Sequence, residues 1–312
     1  MAEQHDHPTV KTKIPMDVAG YVEGLRKAMK GMGTDEATII NLLTSCSSDQ
    51  RQVVLQQYQS TFSRDLVKDL KKELTGHFED IILVLMTRRN EYLGQQLHHA
   101  CKKKNANTMI EILCTAENST IKSIKSAYER LFDSSLEEAL TEATTETFQA
   151  VMLGMAAAER SDTYNEELSH SVAKKLYNDG FGLEEEELVK VLCKYSFRQL
   201  REVFVEYYKQ ADRTLGDTFD CQYTGNNKTY LKEVFQCLDN RFAFLAEELH
   251  KAMAGSGTRD QDLIRLVVTR SEIDLGNIKT EYENMYNKPL SKDIKGDTSG
   301  DYKKILLALL DE

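Results

Sequence analysis

The sequence predicts an all-α protein made of four similar helical modules. At four places a tyrosine is followed eight residues later by a leucine, with an aromatic residue midway in three of them. These leucines lie 70, 79 and 75 residues apart, which is the regular period of a repeat protein. Apolar residues recur at helical spacing, and only three prolines interrupt the 312 residues. The four copies of the frame are Tyr58/Phe62/Leu66, Tyr128/Phe132/Leu136, Tyr207/Ala211/Leu215 and Tyr282/Tyr286/Leu290.

The first module begins with two predicted helices joined by a glycine-rich loop. Val22, Leu25 and Met29 form the apolar face of the first helix, and Gly31 is expected to end it. Thr34 is the predicted N-cap of the second helix, because a threonine side chain can accept hydrogen bonds from the first turn. The acidic residues that follow it suit the positive end of the helix dipole.

Three more predicted helices bring the module to about five. Ser47 or Ser48 is the expected N-cap of the third helix, and Ser63 that of the fourth. Gly76 interrupts the chain before the fifth, and the equivalent positions, ten residues after each frame leucine, are Glu146, Gly225 and Gly300. Because each module is small, we expect it to bury its core against its neighbours.

The frame divides the chain into a short tail and four modules. The extra length between the second and third copies falls around 156–171, a segment rich in Ala, Glu and Ser that we interpret as a linker. His5 and His7 have a spacing that metal sites use, but a disordered tail is the preferred interpretation. The predicted boundaries are 1–16 for the tail and 17–88, 89–160, 161–244 and 245–312 for the modules.

Composition and charge exclude several functional classes. The net charge of −10 argues against a nucleic-acid partner, which requires a dense basic surface, and also opposes an anionic membrane unless bound cations offset it. The N-terminus lacks the apolar segment of a secretory signal, and the apolar run 81–86 is too short to span a bilayer. The six cysteines form no Cys-x-x-Cys pair. We therefore expect a cytoplasmic protein with free thiols.

Two modules contain the same candidate calcium site. A Gly-x-Gly-Thr loop around Thr34 recurs around Thr258, and in both modules an acidic residue follows the threonine by 39 positions. Glycines allow backbone angles that turn several carbonyls toward one point, and calcium accepts carbonyl and carboxylate oxygens together. One carboxylate per ion predicts weak affinity in free solution and open coordination positions. The predicted ligands are the carbonyls of Met29, Gly31 and Gly33 with the Glu73 carboxylate, and the carbonyls of Met253, Gly255 and Gly257 with the Asp297 carboxylate.

The second module departs from this pattern and is predicted to bind no calcium. Lys104 stands at the threonine position, the loop is two residues shorter, and Ala143 stands at the carboxylate position. The neighbouring Glu142 is a partial substitute at best. The lysines at 102–104 are interpreted as a solvated charge run, with contact to lipid phosphate as the alternative.

The third module is intermediate between these two cases. It keeps both glycines, Gly180 and Gly182, but has Gln222 at the cap position, where a neutral amide offers one oxygen and no charge. We therefore expect a weak or empty site, unless Asp179 and the acidic residues at 184–187 support an ion in another way. Phe181 at the loop tip is either a membrane-inserting side chain or part of its own module's packing.

From about residue 17 to the C-terminus the chain resembles the annexins. The resemblance rests on the sequence Lys-Gly-Met-Gly-Thr-Asp-Glu at 30–36, on Glu-Leu-Thr-Gly at 73–76 and on Gly-Asp-Thr-Ser-Gly-Asp-Tyr at 296–302. It implies four annexin repeats of about five helices each in a slightly curved disc, with calcium loops on the convex face. It also implies docking onto acidic phospholipid, a tail that binds a protein partner, and self-association on membranes.

The expected function is calcium-dependent binding to acidic phospholipid membranes, with peripheral association when calcium rises. Lipid oxygens would complete the coordination of each ion, so calcium and membrane would strengthen each other's binding. The alternative is a calcium-independent repeat scaffold for membrane or cytoskeletal proteins, because half of the sites are degenerate. No His-Glu-x-x-His, Gly-x-Ser-x-Gly or phosphate-loop motif occurs, and we expect no enzymatic activity.

Overall fold

The protein is helical throughout the residues that the structure describes. This computed structural model describes residues 5–31, 33–180, 182–255 and 257–312, and no strand occurs among them. In this described part, no helix is long and apolar enough to cross a membrane. The helices of the first quarter are α1 (Val18–Ala28), α2 (Glu36–Thr44), α3 (Ser48–Phe62), α4 (Leu66–Glu73) and α5 (Gly76–Met86).

The other three quarters repeat the same order of helices. Those of the second are α6 (Arg89–Lys103), α7 (Ala106–Thr115), α8 (Asn118–Phe132), α9 (Leu136–Ala143) and α10 (Glu146–Ala156). Those of the third are α11 (Glu166–Tyr177), α12 (Glu185–Lys194), α13 (Phe197–Ala211), α14 (Leu215–Gln222) and α15 (Gly225–Asp239), with a 3₁₀ turn at Asn178–Gly180. Those of the fourth are α16 (Arg241–Met253), α17 (Asp260–Ser271), α18 (Leu275–Tyr286), α19 (Leu290–Asp297) and α20 (Gly300–Leu309).

The chain forms two compact units that do not follow its linear order. One unit consists of the chain up to Arg89 together with Leu245–Glu312, and the other consists of Asn90–Phe244. The first and last quarters thus share a unit, and within it α2 and α17 both pack against α20. Each unit has its own apolar core of fully buried side chains, as expected for modules that cannot bury their apolar faces alone.

The recurring tyrosine of the frame has a structural role in each quarter. In three quarters its hydroxyl bonds to the side chain eleven residues later: Tyr58 to Asp69, Tyr207 to Thr218 and Tyr282 to Asp293. The second quarter has Ala139 at that position, and Tyr128 bonds to His98 instead. These four rings are fully buried, so each hydroxyl requires such a partner to offset its desolvation.

Two of the predicted helix caps are wrong by one or two residues. The N-cap of α2 is Asp35 rather than Thr34, because the Asp35 carboxylate accepts the backbone N–H of Thr38. Asp65 caps α4, whereas Ser63 ends α3 in the left-handed region. The prediction for α3 is confirmed, since Ser47 and Gln50 form a reciprocal capping box.

The described part of the tail is ordered on the fourth quarter, and the prediction of a disordered tail is wrong for it. The backbone N–H groups of Thr9 and Val10 both donate to the Ser271 carbonyl, and the Gly276 N–H donates to the His7 carbonyl. Asn277 pairs its side-chain amide with His7 N–H and the His5 carbonyl. The amino-acid composition does not indicate backbone hydrogen bonds of this kind, which explains why the tail was predicted to be disordered.

The predicted linker is shorter than the sequence indicated. Helix α10 ends at Ala156 and α11 begins at Glu166, so only 157–165 connect them. Within this segment the Arg160 guanidinium donates to the carbonyls of Leu192 and Tyr195, which fixes the connection against α12 and the residue that follows it.

Candidate metal centre

The loop between α1 and α2 presents an open turn of backbone. Helix α1 ends at Ala28 with Met29 as its C-cap, and the Asp35 N–H donates to the Ala28 carbonyl at 2.9 Å, which closes the loop. Gly31 and Gly33 have φ values of 125° and 90°, which only glycine adopts without strain. Apart from the adjoining residues, no heavy atom lies within 4 Å of a Cβ built on either glycine, so both glycines face open space.

The predicted cap carboxylate lies against this loop. Glu73 is the last residue of α4 and is exposed. Thr34 donates a hydrogen bond to it, with 3.2 Å between Thr34 Oγ1 and Glu73 Oε2. The separation of 39 residues therefore corresponds to a direct contact. Thr34 acts as a partner of the carboxylate and not as the helix cap that its sequence position predicted.

The loop between α16 and α17 repeats this arrangement. The Arg259 N–H donates to the Ala252 carbonyl at 2.7 Å, and Gly255 and Gly257 have φ values of 107° and 125°. Asp297 ends α19, and its Oδ2 lies 2.5 Å from Thr258 Oγ1. The two loops and their carboxylates belong to the same compact unit.

The donor set of both loops suits a hard cation. In the described part of the chain, no backbone hydrogen bond is accepted by the carbonyls of the predicted ligands, which are Met29, Gly31, Gly33, Met253, Gly255 and Gly257. Carbonyl oxygens with one carboxylate form a set that calcium accepts, whereas zinc favours Cys and His. No group of three or more His, Cys, Asp or Glu side chains suited to a metal occurs among the described residues. Backbone oxygens would therefore supply most of the coordination.

A histidine connects the first and fourth quarters close to these loops. His77, in the first turn of α5, places Nδ1 3.2 Å from Asp80 Oδ2 and Nε2 3.2 Å from Asp260 Oδ2. Burial raises the pKa of the nearby Tyr302 hydroxyl, and the carboxylates of Asp260, Asp80 and Asp297 add to this rise. No sequence pattern indicated the cluster of His77, Asp80, Asp260 and Tyr302, because these residues come from α5, α17 and α20, which are separate along the chain.

The second quarter lacks both parts of the arrangement. The Asn105 N–H donates to the Ala100 carbonyl, so this loop is closed after five residues where the first takes seven. Lys104 has a φ of 53°, and Ala143 at the end of α9 supplies no side-chain oxygen. The structure thus aligns Lys104 with Thr34, as the sequence comparison assumed.

The third quarter closes its loop with the amide of Gln222. The Leu183 N–H donates to Gln222 Oε1 at 2.7 Å, and Gln222 Nε2 donates to the Leu183 carbonyl at 2.6 Å. The Gly182 carbonyl accepts a bond from Asn178 Nδ2 at 3.3 Å. Phe181, one of the residues singled out in the sequence, lies outside the described residues.

Comparison with known proteins decides the family. The annexin family profile matches four segments of the chain, at residues 21–85, 92–155, 162–233 and 244–309. The chain belongs to the annexin family. Annexin A13 of Canis lupus familiaris is 39% identical over 312 residues, covering 97% of this chain and 98% of that protein. We refer to the four quarters of this annexin as repeats 1 to 4.

Solved annexin structures have the same fold. Annexin III superposes with a TM-score of 0.91 at 34% identity, covering 99% of this chain and 98% of that one. A calcium-bound annexin, described as annexin (Sm)1, superposes with a TM-score of 0.90 at 32% identity, covering 99% of this chain and 94% of that one. The all-α architecture of four annexin repeats is therefore confirmed.

Proposed function

We propose that this annexin binds acidic phospholipid membranes when calcium occupies the loops of repeats 1 and 4. The observation that carries the proposal is the contact between a loop threonine and a cap carboxylate, made twice at the same separation of 39 residues. The family is known for calcium-dependent phospholipid binding, and the structural relative described above is a calcium-bound annexin. The proposed ligands are the carbonyls of Met29, Gly31, Gly33, Met253, Gly255 and Gly257 with the carboxylates of Glu73 and Asp297.

Charge explains why calcium is needed. The chain carries a net charge of −10, and an anionic lipid surface repels it. A divalent ion at each loop would reverse the local charge, since each loop contributes one carboxylate to the site. Calcium takes six to eight oxygens, which is more than one loop offers, so lipid phosphate oxygens can fill the remaining positions.

Binding of the ion and of the membrane is then linked. If lipid oxygens complete the coordination of the ion, the membrane raises the affinity for calcium by the same factor as calcium raises the affinity for the membrane. The bound state would form when calcium rises and reverse when calcium is chelated. This annexin would be cytoplasmic at rest and peripherally attached to the membrane at high calcium, and it would act as a binding protein without catalysis.

Both proposed sites belong to one compact unit, so the calcium-dependent attachment to the membrane would involve that unit alone. Repeats 1 and 4 supply the carboxylates, whereas repeats 2 and 3 have Ala143 and Gln222 at the same position. The degenerate pair favours the second candidate function, a calcium-independent scaffold for membrane or cytoskeletal proteins. Partner binding through the tail and self-association on the membrane stay predictions.

Cosedimentation with phosphatidylserine vesicles over a calcium titration tests the proposal. We expect wild-type protein to pellet with vesicles only when calcium is present and to return to the supernatant after chelation. The double variant Glu73→Gln/Asp297→Asn keeps the shape of both side chains and removes both charges, so it should need at least about tenfold more calcium. Binding of the wild type in chelator would favour the scaffold instead.

The matched control is Glu129→Gln/Asp133→Asn, which changes the net charge equally. Glu129 lies in the last turn of α8 and Asp133 is its C-cap, both in repeat 2, which has no cap carboxylate. Asn tolerates the left-handed φ of 52° at position 133. If the control loses binding as much as the site variant does, general charge rather than the loops governs the attachment.

A further inference from the structure

Repeat 3 has a loop that is closed by its own side chains. Gln222 occupies the position of the cap carboxylate, 39 residues after Leu183, as Glu73 follows Thr34. Its amide forms two hydrogen bonds with the backbone of Leu183, accepting from the Leu183 N–H at 2.7 Å and donating to the Leu183 carbonyl at 2.6 Å. A carboxylate can only accept, so only the amide can make both bonds.

The amide also changes which backbone oxygens remain available. In repeat 1 the cap carboxylate is held by the Thr34 side chain, and the bonds described leave the Gly33 carbonyl free. In repeat 3 the equivalent carbonyl, that of Gly182, accepts a hydrogen bond from the Asn178 amide at 3.3 Å. A cation entering this loop would have to displace these donors, and it would find a neutral amide where repeats 1 and 4 have the cap carboxylate.

We propose that Gln222 takes the place of the calcium ion in repeat 3. Its amide, with that of Asn178, holds the loop closed at every calcium concentration and keeps a cation out. The calcium response then belongs to the other sites. This inference rests on the proposed function for the role of calcium in repeats 1 and 4, but the closure itself requires no ion.

Amide hydrogen exchange at Leu183 measures the closure directly. In chelator, we expect the wild-type Leu183 N–H to be protected, and addition of calcium should change its exchange rate by less than about twofold. The variant Gln222→Met keeps the length of the side chain and removes both hydrogen bonds. In it the Leu183 amide should exchange roughly five- to tenfold faster, with or without calcium.

Two results would overturn the closure. One is a wild-type Leu183 amide that becomes protected only after calcium is added, because a cation would then close the loop. The other is an unchanged exchange rate in Gln222→Met. Neither measurement depends on calcium binding in repeats 1 and 4, so both remain valid even if those loops bind no calcium and the vesicle experiment fails.

A gain-of-site variant tests the exclusion of the cation. Gln222→Glu restores the carboxylate, and Asn178→Gly releases the Gly182 carbonyl while tolerating the left-handed φ of 48° at position 178. We expect the double variant to bind one calcium ion more per chain than the wild type in equilibrium dialysis against millimolar calcium. The matched control Gln222→Met/Asn178→Gly removes the same hydrogen bonds without adding charge and should gain no ion. An equal ion count in the wild type and the double variant would show that these amides are not what excludes calcium.

Discussion

Thr258 donates a hydrogen bond to the carboxylate of Asp297, with 2.5 Å between Thr258 Oγ1 and Asp297 Oδ2. The equivalent distance in repeat 1, from Thr34 Oγ1 to Glu73 Oε2, is 3.2 Å. Asp has a side chain one methylene shorter than Glu, and it still reaches its threonine. Each threonine thus orients the carboxylate that is proposed to face the ion, and the contact is tighter in repeat 4.

Removing the hydroxyl of Thr258 should weaken calcium binding without removing a ligand. Thr258→Val keeps the shape of the side chain but leaves the Asp297 carboxylate without its hydrogen-bond donor. Partners that orient a metal ligand typically contribute about tenfold or more to affinity, so we expect about a tenfold loss at that site. Isothermal titration with calcium in the presence of phosphatidylserine vesicles measures it.

The control for this variant is Thr61→Val, an exposed threonine of α3 that has no hydrogen bond to either cap carboxylate. It should leave the calcium titration unchanged. Thr34→Val should have a smaller effect than Thr258→Val, because the bond to Glu73 is longer. Equal titrations for wild type and Thr258→Val would mean that the hydroxyl does not orient the carboxylate.

Glu146 carries local backbone strain that glycine would relieve. Its φ is 56°, and the equivalent positions in the other repeats are glycines, Gly76, Gly225 and Gly300, with φ between 56° and 63°. A side chain in this region costs about 1 kcal/mol or more, so Glu146→Gly should raise the free energy of unfolding by about 1 kcal/mol. The urea midpoint should rise, with the slope of the transition unchanged.

A glycine placed nearby should have the opposite effect. Glu142→Gly removes an exposed glutamate from the last turn of α9, where the backbone is helical and glycine costs up to about 1 kcal/mol. If both variants lower the urea midpoint, the positive φ at Glu146 is not a source of strain.

The buried carboxylate of Asp69 should make stability depend on acid pH. Arg64 donates two hydrogen bonds to Asp69, Tyr58 donates a third, and these hold the pKa of Asp69 below its usual value. A carboxyl group whose folded pKa is lowered contributes stability above its unfolded pKa, about 3.9, and loses it as pH falls through the folded pKa. We therefore expect the free energy of unfolding to fall as pH decreases below about 4.

The variant Asp69→Asn isolates this contribution. It should lower the free energy of unfolding by about 2 kcal/mol at neutral pH, where the charged hydrogen bonds are lost. Its stability should also fall less steeply than that of the wild type between about pH 4 and pH 2. Parallel acid unfolding curves for the two proteins would assign the pH dependence to other carboxylates.

The sequence was sufficient to predict the repeat and to relate Thr34 to Glu73 and Thr258 to Asp297, but not to predict details that depend on the path of the backbone. The recurring tyrosine–leucine frame, which is Tyr58 and Leu66 in repeat 1, located the modules because residues buried on one face of a helix recur at a regular spacing. The pairing of Gln222 with Leu183 could not be predicted, since it requires both the N–H and the carbonyl of Leu183 to face the amide at hydrogen-bond distance. Similarly, Thr34 and Asp35 are both good helix caps, and only the loop geometry decides between them.

Gly276→Ala should release the tail without altering any tail residue. A Cβ at position 276 would lie 2.7 Å from the His7 carbonyl oxygen, which is too close, and this oxygen accepts the Gly276 N–H. Gly276 lies in the first turn of α18, where alanine is compatible with the helix. The steric conflict should therefore move the tail rather than the helix, and trypsin should cut after Lys11 and Lys13 several-fold faster. Gly296→Ala in α19 is the matched control, because nothing lies within 4 Å of its added Cβ. Equal cleavage rates in the two variants would mean that the contact at His7 does not hold the tail.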